Sequence, residues 1–305
     1  MNPTRSRLTL PLALLFAILA VSTASIFIKF AQRDAPSLVI AALRLTFASI
    51  ALAPLAWTRH RAELLSLSRR DLLLGLLSGF FLSVHFATWI TSLEYTTVAS
   101  SVVFVSTGPL WVALTSPLFL REPLTRPVLI GMAVALFGGI IIGLSDSCTW
   151  NNGLVCDSLS QALHGRAMLG NLLALAGALA VAGYLMIGRK LRTKISLIPY
   201  IFVVYSTAAI GLLVIMFAAD ETPIGYQSIT YIWILLLALI PQLIGHSTYN
   251  WALAHLPAAF VAITTLGEPI GSAILAFFIL QEVPSIATLL GGVLILFGIY
   301  LSTRK

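Results

Sequence analysis

Apolar runs of about the length that crosses a bilayer as a helix recur from one end of this chain to the other. Such a crossing needs about 20 consecutive residues, and only helices or closed barrels satisfy their backbone groups in lipid. The runs are continuous rather than alternating, which selects helices over barrel strands. Short clusters of Arg, Lys, Asp, Pro and Gly separate them and mark helix ends. Ten spans are expected: 10–31, 36–57, 71–92, 96–119, 126–144, 168–188, 197–219, 227–252, 257–280 and 284–302. The fold class is therefore an all-α integral membrane protein. Only 10% of the 305 residues are charged, against roughly 25% in soluble domains.

The net charge of +7 does not require nucleic acid, because cytoplasmic loops of membrane proteins are enriched in Lys and Arg. With the N-terminus inside, the cytoplasmic segments collect 14 of the 18 basic residues, including Arg59, Arg61, Arg69, Arg70, Arg189, Lys190, Arg192 and Lys194. Lys29, Arg33 and Arg166 fall outside, with Asp34, Glu94, Asp146, Asp157, Asp220, Glu221 and Glu282. Both termini are expected in the cytoplasm of a cell (inner) membrane protein. The first run follows Arg5 and Arg7 as a signal peptide would, but its loss would leave nine spans and break the repeat described next. Cys148 and Cys156 share the longest loop, 145–166. Outside the membrane they are expected to form a disulfide; two unpaired thiols are the alternative.

The chain repeats itself. A constant shift of 160 aligns 109–138 with 269–298 at nine identities, among them Pro109/Pro269, Glu122/Glu282, Gly131/Gly291 and Gly138/Gly298. The same shift sets Lys29 against Arg189. Expected units are 1–145, an extracytoplasmic loop 146–167, and 168–305. Each unit holds five spans, so the second enters the membrane inverted, a plan that recurs in secondary transporters around a central cavity.

The runs "SLEYTTVASSVVFVSTGPLWVALTSPLFLREPLTRPVLIGMAVALFGGIII" (92–142) and "YNWALAHLPAAFVAITTLGEPIGSAILAFFILQEVPSIATLLGGVLILFGIYL" (249–301) resemble the EamA repeat of the drug/metabolite transporter superfamily. A Tyr-Thr or Pro-Ala pair, a mid-helix proline, a Leu-Glu-type helix end and glycines in the next helix carry the resemblance over both halves. The common Trp-Gly before the first-span lysine is Val21-Ser22 here. The resemblance implies ten helices in two inverted repeats and movement of small metabolites, often outward.

Polar residues within spans are costly and mark candidate sites. Glu268 stands mid-span, where an acidic residue costs about 2.5–3.5 kcal/mol on insertion scales. It is expected either as a cavity carboxylate that binds a cation or exchanges a proton, or as a hydrogen-bonded packing residue. Pro109 and Pro269 remove an i to i−4 bond and are expected to free the carbonyls of Val105 and Thr265, as hinges or as static kinks. Arg44 is expected to pair with a carboxylate, Glu268 first by depth, or to anchor its helix. His85 with Trp89, and His246 with Asn250, share helix faces and are expected either to contact solute or to bond helix to helix. No ligand cluster for a metal is seen, no G-x-x-x-x-G-K-[ST] phosphate loop is present, and no cofactor is expected.

The function expected is secondary export of a small metabolite, such as an amino acid or a similar amphipathic solute, by a monomer or homodimer. A membrane enzyme on lipid-linked substrates and an uptake permease of the same fold are the alternatives.

Overall fold

The structure is a computed structural model in which residues 3–119, 126–145, 148–150, 154–156, 165–256, 258–302 and 304 are described. Seven helices are long and apolar enough to cross a membrane: Leu10–Ala31, Ser37–Arg59, Arg69–Tyr95, Val98–Thr115, Arg166–Arg192, Leu197–Ala218 and Ser228–Ala252. Three shorter apolar helices are Leu129–Ile141, Gly267–Leu280 and Ile286–Gly298.

In the first half the elements are α1 (Pro3–Ser22), α2 (Ala24–Ala31), α3 (Ser37–Arg59), α4 (Arg61–Leu65), α5 (Arg69–Tyr95), α6 (Val98–Val105), α7 (Gly108–Phe119) and α8 (Arg126–Ser145). A short antiparallel ribbon follows, β1 (Cys148–Trp150) with β2 (Leu154–Cys156). The second half holds α9 (Arg166–Arg192), α10 (Leu197–Ala218), α11 (Ser228–Leu237), α12 (Ser247–Ala252), α13 (Ala258–Thr264), α14 (Gly267–Leu275) and α15 (Ile286–Ser302). A π-helical stretch, Ala238–His246, joins α11 to α12, and another, Ala276–Leu280, continues α14.

Several expected single spans are divided. Residues 10–31 break near Thr23, and the loop after Arg59 contains the short α4. Pro241 sits inside the first π stretch. Its ring lacks an N–H and crowds the carbonyl four residues back, so the helix there winds wider. Ordinary capping sets other ends: Ser68 accepts from the Asp71 N–H at 3.1 Å and Thr97 from the Ser100 N–H at 3.1 Å.

The helices pack with apolar side chains turned outward and much of the polar inventory inward. Phe16, Ile210, Val214, Ile270, Ile274 and Phe278 are exposed, whereas Arg44, Gln242, Asn250 and Asn171 are at most 2% exposed. An apolar exterior suits lipid rather than water as solvent. Helix α5 packs on α9, α3 on α10, α8 on α15, and α1 on both the π stretch 238–246 and α14.

The α8–α15 contact is close because glycines face backbone. A Cβ on Gly138 would come within 2.6 Å of the Gly291 carbonyl oxygen, and one on Gly298 would meet the Gly131 carbonyl in the reciprocal contact. Small residues permit this approach. These glycines therefore serve helix packing within one chain.

Basic side chains tie helix ends together. Lys29 Nζ donates to the Leu93 carbonyl at 2.5 Å, near the end of α5, and Arg189 Nη1 donates to the Leu253 carbonyl at 2.5 Å, just past α12. Cations suit carbonyls at helix C-termini. Glu282 accepts from the Val98 N–H at 2.9 Å and so caps α6; its repeat mate Glu122 lies outside the described residues.

Candidate functional site

Two helices that the sequence reads as continuous are broken at matching places. Helix α6 ends at Val105 and α7 begins at Gly108; α13 ends at Thr264 and α14 begins at Gly267. Each break lies just before a proline, Pro109 or Pro269, which cannot donate to the carbonyl four residues earlier. The freed-carbonyl expectation needs correction at Thr265: its oxygen accepts from the Glu268 N–H at 2.9 Å, in a tightened turn. The Thr265 and Thr107 hydroxyls donate back to the carbonyls of Ala262 (2.7 Å) and Phe104 (2.8 Å).

A cavity sits at these breaks. Ser106, Gly108 and Pro109 line it from one break, Thr265 and Glu268 from the other. Helix α5 contributes His85 and Trp89, α9 contributes Tyr184, and His246 and Tyr249 come from the helix around the π stretch. Its walls thus come from both halves of the chain.

Glu268 lies in the first turn of α14, where the positive end of the helix dipole favours a carboxylate. It accepts no hydrogen bond and makes no ion pair within 4 Å among the described residues. The ion pairs there are His60–Glu63 and Lys194–Asp71, each 3.8 Å.

An aromatic strip forms one wall. His85 stacks on Trp89 with centroids 5.8 Å apart, Phe86 meets the His246 edge at 5.4 Å, and His246 meets Tyr249 edge-on at 6.5 Å. His85 Nδ1 lies 2.9 Å from the Gly177 carbonyl. A carbonyl only accepts, so Nδ1 carries the proton and the neutral ring keeps Nε2 as an acceptor. Gly177 allows the approach: a Cβ there would lie 3.3 Å from the Trp89 Cβ.

Arg44 is not joined to Glu268 by an ion pair, which corrects the pairing expected from depth. It is fully buried; its Nε donates to Gln242 Oε1 at 3.1 Å and its guanidinium carbon lies 4.2 Å from the centre of the Phe86 ring. A cation over a desolvated ring is stabilised by about 2 kcal/mol, and Glu268 acts on it through space. Arg44 therefore lies behind the aromatic strip and is not among the lining residues. Asn250 is also behind the wall. Its Nδ2 donates to the Tyr184 hydroxyl at 2.5 Å and to the His246 carbonyl at 2.8 Å. Of the sequence candidates, His85, Trp89, His246, Glu268 and Pro109 come together on the cavity surface; Pro269 is buried beside it.

Sequence reasoning passed over Tyr184 and Tyr249. The repeat held a signal for the second, because the shift of 160 carries Trp89 onto Tyr249 and Phe86 onto His246. Trp89 Nε1 and Tyr249 Oη are closed off and have no hydrogen-bond partner among the described residues. An unpaired buried donor costs about 1–3 kcal/mol. No group of three or more His, Cys, Asp or Glu that could hold a metal occurs among the described residues.

Known proteins match this chain in the same two-part pattern. A match to the EamA-like transporter family extends over residues 9–144 and again over 168–304. The chain belongs to the EamA-like transporter family. An uncharacterized transporter of Archaeoglobus fulgidus is 24% identical over 284 residues, covering 92% of each chain. The uncharacterized transporter YetK of Bacillus subtilis is 23% identical over 295 residues, covering 95% of this chain and 86% of its own. A solved protein crystal structure superposes with a TM-score of 0.66 over 97% of this EamA-like chain and 96% of its own, at 18% identity. That likeness concerns the fold alone. The EamA-like chain is thus a multi-pass membrane protein of a transporter family, and its lipid-facing exterior and internal cavity fit a small-molecule substrate.

Proposed function

We propose that the protein is a secondary-active exporter of small amphipathic metabolites, such as amino acids, and that the cavity at the two helix breaks is its solute site. The observation that carries this reading is Glu268, an unpaired carboxylate on the surface of a cavity built by both halves. In this reading Glu268 binds a cationic group of the solute or exchanges a proton with it, and His85, Trp89 and His246 contact the rest.

The spans number ten in this proposal, as inverted units 1–145 and 168–305, and alternating access follows from their exchange. The packing supports it. Exchanging halves carries the α5–α9 contact onto that of α1 with the 238–246 stretch, and α7–α9 onto α1–α14. The reciprocal glycine contacts and the Lys29/Arg189 pair obey the same exchange. Both termini are assigned to the cytoplasm and the 146–167 loop to the outside. There the register sets Cys148 opposite Cys156 in the ribbon, a pairing compatible with a disulfide; their side chains lie outside the described residues.

Purified protein in proteoliposomes, loaded with a panel of amino acids and amines, tests the transport reading: efflux is expected for wild type, and its absence across the panel defeats the proposal. Cysteines placed at 60 and 193 should label from the same side of the membrane. Alkylation of Cys148 and Cys156 is expected only after reduction. Uptake in place of efflux in cells would select the permease alternative.

A further inference from the structure

The stretch 59–70 carries four arginines, Arg59, Arg61, Arg69 and Arg70. All four are exposed, and none makes a hydrogen bond, an ion pair or a ring contact among the described residues. Many basic side chains elsewhere are engaged. Lys29 and Arg189 hold carbonyls, and Arg192 holds that of Asn250 at 3.0 Å. Arg33 and Arg166 lie over the rings of Phe30 and Tyr95, at 4.8 and 5.3 Å.

The acidic residues of this region are turned to other partners. Glu63 accepts from the Ser196 N–H at 2.7 Å and lies 3.8 Å from His60; Asp71 accepts from the Ser68 hydroxyl at 2.7 Å and lies 3.8 Å from Lys194. Helix energetics do not account for the arginines either. Arg69 and Arg70 open α5, where the positive end of the dipole disfavours cations. Apolar neighbours set their depth: Trp57 in the last turn of α3, Leu65 at the end of α4 and Leu73 early in α5 are each more than half exposed. Tryptophan favours the membrane–water boundary. Helix α3 has 23 residues, about 35 Å of helix against a hydrocarbon core of about 30 Å. Its last residue, Arg59, therefore emerges among headgroups, and the fork of a guanidinium matches phosphate oxygens with two bonds.

We propose that Arg59, Arg61, Arg69 and Arg70 form a docking surface for the headgroups of anionic phospholipids in the leaflet that this loop meets. Charge complementarity selects anionic over zwitterionic lipid, because a choline or ammonium group beside the phosphate cancels its attraction for a basic cluster. The assignment is independent of the solute and of the direction of transport. Glu63 and Asp71 tie the same segment to Ser196 and Lys194 in the connection between α9 and α10. A headgroup seated on the arginines thus braces a contact between the two halves of the chain.

The test titrates full-length protein in detergent with dioleoylphosphatidylglycerol or dioleoylphosphatidylcholine and follows thermal melting. Phosphatidylglycerol should raise the melting temperature of wild type at the lower concentration. Arg59→Gln with Arg61→Gln, and Arg69→Gln with Arg70→Gln, should each weaken its apparent affinity by about 5- to 25-fold, up to about fivefold for each cation withdrawn from an anionic surface. Their response to phosphatidylcholine should match that of wild type. Arg126→Gln with Arg304→Gln removes equal charge from the ends of the α8–α15 pair and should leave the phosphatidylglycerol affinity unchanged. Equal responses of wild type to the two lipids overturn the proposal, as does unchanged affinity in both arginine pairs. An equal loss in the Arg126 and Arg304 variant also overturns it, because net charge alone would then be at work. Inorganic phosphate that reproduces the phosphatidylglycerol shift at equal concentration overturns the assignment to lipid. The melting temperature of each variant without lipid reports its folding, and the two pairs probe the surface separately.

Discussion

The breaks at Ser106–Thr107 and Thr265–Leu266 share a backbone and differ in chemistry. Each lies just before a proline, and each is followed by a helix that begins at a glycine, Gly108 or Gly267. Under the shift of 160 the halves part at one position, Gly108 in the first and Glu268 in the second. The backbone device is duplicated, and the charge occurs once. The repeat thus keeps a backbone feature in both halves while a carboxylate occurs in one.

The most severe way to break the symmetry is at the α8–α15 contact. Gly138→Leu and Gly298→Leu each drive a side chain into a facing backbone carbonyl, which cannot yield without parting the helices. Each should destabilise the fold by about 3 kcal/mol, the upper end of overpacking penalties. Melting in detergent should give similar losses for the two, because the contacts are reciprocal. A large loss in one alone would deny the equivalence.

Chemistry gives the opposite expectation. Glu268→Gln should lower transport of solutes bearing an ammonium group by about 10- to 100-fold, as expected for loss of a charged partner. Gly108→Ala alters no charge and should lower it less than Glu268→Gln, although its Cβ would press on Val181 Cγ1 at 3.1 Å and that side chain must give way. Initial rates in proteoliposomes across pH 6 to 8 decide both points. Full activity of Glu268→Gln at every pH would remove the carboxylate from the mechanism.

How far these differences were legible follows from what a one-dimensional pattern records. Apolar run length determines where helices lie, because lipid leaves backbone groups no other partner. Proline spacing located both breaks. Depth along a span was readable too, but the direction a side chain takes around the helix was not. Arg44 and Glu268 both read as mid-span, yet Arg44 turns to Gln242 and Phe86. Asn250 shares a face with His246 but turns its amide to Tyr184, behind the wall. Tyr249 was missed because a tyrosine in an apolar run reads as ordinary packing until its repeat mate is sought.

Smaller effects are expected at the two basic ties. Lys29→Met and Arg189→Met each remove a hydrogen bond to a carbonyl at the end of a helix, a loss of about 1–2 kcal/mol. The proposed topology puts these ties on opposite membrane faces. Labelling of a Ser106→Cys probe should then rise from outside in the Lys29 variant and from inside in the Arg189 variant. The same change of sidedness in both would contradict the inverted arrangement.

The prolines should give the smallest effects and the sharpest comparison. Pro109→Ala and Pro269→Ala each restore an N–H without altering charge. The restored donors face different situations. The Thr265 carbonyl is already engaged by the Glu268 N–H at 2.9 Å, so the N–H restored by Pro269→Ala must compete for it. If bending at the breaks accompanies turnover, a straighter helix slows both variants by about two- to fivefold at unchanged KM, as hinge substitutions do when conformational steps limit the rate. Pro109→Ala should be the slower of the two, because no such competition is seen for the Val105 carbonyl among the described residues. Equal, unaltered turnover would make both breaks static kinks, and it would leave Glu268 as the sole functional difference between them.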